Sequence, residues 1–151
     1  MFKKLLCVML AAVSLSFAVP CVSHAAFSNT ISLYEKGNAS NIIYIKRPES
    51  LSASTSDRTY TISAVGEQGT KIRLYKYNPA RGVCELIRGE TSMGASGLYS
   101  VVVDLTGDSN VFVITGESYR GSQAVRIDID KIKKSTVDRL KNVTVTIRNF
   151  W

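Results

Sequence analysis

Between Thr30 and Asp130 the chain is a succession of short runs that alternate apolar and polar residues, most of them closed by glycine, proline or asparagine. A period of two puts every second side chain on one face of an extended backbone, so such a chain folds by stacking sheets. Thr30 to Tyr34 and Ile42 to Lys46 come first, the second ending at Arg47-Pro48. Arg58 to Val65 follows, with Tyr60, Ile62 and Ala64 on one face. After Gly66 to Gly69, Thr70 to Tyr77 sets Ile72 and Leu74 against Arg73, Tyr75 and Tyr77. Asn78 to Gly82 has hairpin chemistry and Val83 to Ile87 returns. Beyond the Gly89 to Gly97 stretch, Leu98 to Leu105 carries Val101, Val103 and Leu105. Val111 to Ile114 is apolar on both faces, which places it centrally in a sheet. Gln123 to Asp130 closes the set, with Val125, Ile127 and Ile129 facing in and Arg126, Asp128 and Asp130 facing out. Seven or eight strands within about 100 residues predict an all-β, antiparallel sandwich.

Tyr60-Thr61-Ile62-Ser63, then Gly66 and Gly69 ahead of Lys71-Ile72-Arg73-Leu74-Tyr75, resembles the central strand pair of bacterial immunoglobulin-like domains. Gly97-Leu98-Tyr99-Ser100, Val103-Asp104-Leu105 and the Gly107 to Asn110 turn before Val111 to Ile114 are similar to the rest of that pattern. The resemblance covers roughly residues 42–130, in a single copy, without the antibody-type cysteine pair. It implies an immunoglobulin-like sandwich. For function it implies only a wide class of stalks, accessory modules and surface parts.

The N-terminus has the tripartite form of a secretory signal. Lys3 and Lys4 precede the uncharged apolar run Leu5 to Val19, Pro20 breaks it, and Ser23-His24-Ala25 supplies a cleavage site. The apolar run is short against the roughly 20 residues needed to span a bilayer, so a cleaved signal over residues 1–25 is expected rather than an anchor. Pro20 before Cys21 disfavours a lipoprotein. Cleavage would remove Cys7, Cys21 and the single histidine, His24. The remaining Cys84 then has no disulfide partner within the chain and no base to activate it, and in Val83-Cys84-Glu85-Leu86-Ile87 it reads as core filling. Ser-His-Asp triads, Cys–His pairs and histidine-ligated metals are likewise excluded from the mature chain. A non-catalytic protein without cofactor or metal is expected, secreted or associated with the cell envelope. Glu67, Glu85, Glu90 and Glu117 keep open the less favoured reading of a small carboxylate enzyme. Asp104, Asp108, Asp128 and Asp130 lack calcium-loop spacing.

Charge is unevenly spread. Residues 26–130 hold eleven basic and eleven acidic residues, whereas residues 131–151 hold Lys131, Lys133, Lys134, Arg139, Lys141 and Arg148 against Asp138 alone. The domain reading is therefore signal 1–25, sandwich 26–134 and a basic amphipathic tail 135–151. As a helix opened by Ser135 and Asp138, the tail groups Ile132, Val137, Leu140, Val143, Ile147, Phe150 and Trp151, with Lys134, Lys141 and Arg148 opposite. Val143 to Ile147 also alternates like a strand, and a helix could either dock on the sandwich or stay exposed. Lys134, Lys141, Arg148 and Trp151 are the candidate surface-binding residues, for a membrane surface or an envelope polymer. An extracellular protein is the other candidate partner, and no nucleic acid is expected. Tyr75 and Tyr77, on one outward face, are the candidate platform of an alternative function, carbohydrate binding. Asn38-Ala39-Ser40 and Asn142-Val143-Thr144 match glycosylation sequons.

Overall fold

The structure, a computed structural model, describes residues 27–148, with side chains to residue 141. The signal-peptide reading, the Asn142 sequon, Trp151 and the side chain of Arg148 lie outside the described residues. The alternating runs become strands: β1 (Thr30–Ile31), β2 (Ile43–Arg47), β3 (Ser52–Thr55), β4 (Thr59–Gly66), β5 (Lys71–Asn78), β6 (Val83–Ser92), β7 (Leu98–Asp104), β8 (Ser109–Ser118) and β9 (Gly121–Lys131), followed by helix α1 (Lys134–Arg148).

Two sheets form a sandwich. The larger runs β1-β6-β5-β8-β9-β3 and the smaller β2-β4-β7. Taking β2, β4 and β7 as strands A, B and E, and β6, β5, β8 and β9 as C′, C, F and G, gives the order of an immunoglobulin-type sandwich without a strand D. Between the sheets lies the main core, with Ile62 and Ala64 from β4, Ile72 and Leu74 from β5, Phe112 and Ile114 from β8, and Ile127 and Ile129 from β9. These are the inward residues that alternation picks out, and β8 is central as its two apolar faces require. Packing between sheets is close at Gly116, where a Cβ would stand 2.4 Å from Ile43 Cγ2.

Three differences from the sequence reading have physical causes. Among the described residues nine strands form, because Ser52–Thr55, short and mostly polar, pairs with β9 by main-chain bonds, and in parallel. The first predicted run keeps only Thr30–Ile31 as strand, since pairing with β6 stops there. The strand read as Val83 to Ile87 continues to Ser92, into the Gly89 to Gly97 stretch, through two register shifts against β5.

The tail is helical, not an added strand. Its first turn closes on the Lys133 carbonyl, which accepts from Thr136 N at 2.9 Å. Ser135 therefore lies inside the helix and is not its cap. Over residues 134–141 only Val137 is half-buried, and Leu140 is 63% exposed. Docking of the helix on the sandwich is not seen over those residues. Among the described residues no helix is long and apolar enough to cross a membrane.

Candidate functional site

The expected tyrosine platform is absent, although the faces were read correctly. Tyr75 and Tyr77 do share the outer face of the large sheet, but that face is covered by the chain preceding it. Phe27, Ile31 and Leu33 pack with Tyr75, Tyr77, Cys84, Leu86 and Val113 in a second, smaller apolar cluster. Tyr75 is 0% exposed, its hydroxyl donates to Ser28 O at 2.8 Å, and burial raises its pKa against the lowering charge of Arg73. The Arg73 guanidinium fastens the same strap by donating to Phe27 O, and Tyr77 is half-buried beside it. A ring with no exposed face has nothing to stack on a sugar.

Cys84 lies under that strap, fully buried, and burial pushes its thiol pKa up against the opposing charge of Arg126. A raised thiol pKa favours the protonated fold. Its contribution is complete below the ordinary thiol pKa and is lost as pH rises through the folded value. We expect Cys84 to resist iodoacetamide at pH 8 in the folded protein and to alkylate completely in urea, as read by intact-mass spectrometry. Rapid alkylation without denaturant would mean the strap opens freely.

The large sheet also borders a cleft of about 730 Å³ between residues 33–40 and β9. Two side-chain latches frame it. Asn38 Oδ1 accepts from Ser122 N at 2.7 Å and Ser122 Oγ at 3.0 Å. Gln123 Oε1 accepts from Ile42 N at 2.7 Å and Ile43 N at 3.0 Å, tying β9 of one sheet to the start of β2 in the other. Gly37 makes the approach possible: its φ is +81°, and a Cβ there would lie 2.2 Å from Ser122 O. Tyr34, 78% exposed, stands at the cleft with Leu33, Leu51, Lys36 and Arg126. An aromatic ring, apolar walls and a rim of mixed charge suit a small amphipathic ligand better than an ion. Sequence reasoning missed this cleft, whose wall and floor come from segments 80 or more residues apart.

The basic residues of the tail are the remaining candidates. Every ion pair among the described residues lies in the sandwich: Lys71–Glu90, Arg73–Glu90, Arg81–Glu85, Arg120–Glu67 and Arg126–Asp128. Lys134 and Lys141, two helical turns apart, are exposed on α1 without a carboxylate partner among the described residues. No group of three or more His, Cys, Asp or Glu side chains converges among the described residues.

No family model and no curated protein matches the sequence. Among solved structures, an engineered protein is similar over 60% of this chain at 10% identity with a TM-score of 0.43, and the match spans 20% of that protein.

Proposed function

We propose that this chain is an exported, non-catalytic immunoglobulin-like domain, akin to the bacterial ones it resembles, and that α1 holds it at an anionic surface of the cell envelope. The observation that carries the reading is the separation of charge. The basic and acidic residues of 26–130 balance, and five of the basic ones are ion-paired, while the net positive charge lies in residues 131–151, where Lys134 and Lys141 are exposed on α1. A basic helix gains about 1 kcal/mol per Lys or Arg near an anionic surface, and its apolar side adds to this by entering the interface.

The test is co-sedimentation of the exported protein with vesicles of phosphatidylglycerol and phosphatidylethanolamine, and with isolated cell walls. Reversing Lys134→Glu, Lys141→Glu and Arg148→Glu together should weaken binding at least hundredfold at low salt. The wild type should release as salt rises toward 1 M, where the screening length falls to about 3 Å. Unchanged binding by the folded triple variant would move the interaction to the sandwich, and binding by neither form would end the envelope reading.

A further inference from the structure

The two sheets differ in width, and the difference exposes one strand edge of unusual character. The large sheet ends in a two-residue strand, β1, and a four-residue strand, β3. At the edge of the small sheet, β2 carries a register shift between Ile45 and Arg47, with Lys46, Arg47 and Pro48 there. Short length, bulges, lysine and proline are the usual means by which edges avoid pairing with other chains. The other edge, β7, has none of them. It pairs with β4 in unbroken register from Leu98↔Val65 to Asp104↔Thr59, and Leu98-Tyr99-Ser100-Val101-Val102-Val103-Asp104 holds no proline and no basic residue.

The direction of its free groups follows from the ladder. Gly66 N donates to Gly97 O and Leu105 N to Arg58 O, so odd-numbered residues of β7 turn their main chain toward β4. Even-numbered residues turn theirs to the open edge. Lys76 Nζ occupies Asp104 O at 3.2 Å, and Ser96 Oγ accepts from Leu98 N at 3.3 Å. That leaves the carbonyl of Leu98, both main-chain groups of Ser100 and Val102, and the N–H of Asp104 without a partner among the described residues. Leu98 and Val102 are 53% and 56% exposed beside them.

Beneath this edge the large sheet extends further. Only residues 93–97 link β6 to β7, so no fourth strand lies over β6, whose residues 87–92 are all exposed. Between β6 and β7 runs a groove of about 390 Å³, with Ile87 and Arg88 on one side and Val102 and Asp104 on the other. Arg88 registers opposite the core residue Leu74, so it shares the inner face of the sheet, and it has no ion-pair partner among the described residues.

We propose that the β7 edge accepts an extended strand from a partner protein, which completes the small sheet as a fourth strand and carries an inward carboxylate for Arg88 beside an apolar residue over Ile87. The main-chain groups of Ser100 and Val102 provide the ladder bonds, and the groove selects the inward side chains. A second copy of this chain fits less well. Its own β6 and β5 would need the space under the added strand that β6 already fills, and the inward residues of its β7, Tyr99, Val101 and Val103, are aromatic and aliphatic where Arg88 calls for a carboxylate.

The probe is a fluorescein-labelled heptapeptide, Thr-Val-Thr-Glu-Thr-Val-Thr, titrated against the exported protein by anisotropy. Saturable binding is expected with a Kd on the order of 100 μM, a short ladder with one charged contact being a weak interface. Ser100 and Val102 amides should slow in hydrogen exchange when the peptide is present. Val102→Pro removes an edge N–H that β4 does not use, which edge strands tolerate, and should weaken binding at least tenfold. Arg88→Glu should lose the peptide by a similar factor and recover binding to its lysine-centred version. Absence of saturable binding to 1 mM, or equal binding of both peptides by Arg88→Glu, overturns the proposal. So does concentration-dependent protection of Ser100 and Val102 without peptide, which would assign the edge to a second copy.

Discussion

Replacing Phe112 with alanine should remove a large share of this domain's stability. Phe112 is 0% exposed at the centre of β8, registered between Lys76 of β5 and Ile127 of β9, with its ring in the main core. Neighbours on both flanks are fixed by ladder bonds, so the site has little freedom to close over a missing ring. Truncations of this kind cost about 3–5 kcal/mol, against a total of about 5–15 kcal/mol for a domain of this size. Lys76 adds to the loss, since its ammonium lies 5.6 Å from the ring centroid and burial already lowers its pKa. Urea unfolding followed by tryptophan-independent circular dichroism measures the effect. The midpoint should fall steeply while the denaturant slope stays constant. A shift worth less than about 1 kcal/mol would mean the two sheets pack more loosely around β8 than its burial indicates.

How far the sequence could carry these conclusions depends on the range of the interaction. Alternation is local, and the inward faces of β4, β5, β7 and β9 follow from it directly, as does the central place of β8. Coverage is not local. Alternation correctly sets Tyr75 opposite Leu74, yet an outward face is exposed only if nothing else lies on it, and here Phe27 to Leu33 does. The strap's own signal is incomplete: Ile31 and Leu33 alternate within the first predicted run, but nothing in that spacing says which sheet face they cover. β3 was missed for a related reason, because Ser52–Thr55 joins the sheet through main-chain bonds that its side chains do not advertise. In the tail both helix and strand periods fit Val143 to Ile147, and continuity with Lys134 to Lys141 decides for the helix. The β7 edge was half legible. Its exposed Leu98 and Val102 are visible as a strand's second face, but that β7 is an edge follows only from the sheet order.

Gln123 is where that non-local character should be most costly to disturb. No pattern marks it: it reads as a polar residue at the start of an ordinary strand. Yet its one carbonyl oxygen takes two main-chain N–H groups, from Ile42 and Ile43, at the point where the chain enters the small sheet. Both of those residues are buried, so neither amide has ready access to water as a substitute acceptor. An unsatisfied buried donor costs about 1–3 kcal/mol, and Gln123→Met, similar in length but a poor acceptor, strands two of them. We expect a loss of about 2–4 kcal/mol in urea unfolding, with faster hydrogen exchange at Ile42 and Ile43 under native conditions. Exchange separates this latch from simple packing. Lost packing would destabilise the whole domain and leave these two amides no worse than their neighbours, whereas a lost acceptor releases them first, through local opening of the β2 entrance. Full stability in Gln123→Met would show that the two sheets are joined by the core alone and that the oxygen only orients the loop above it.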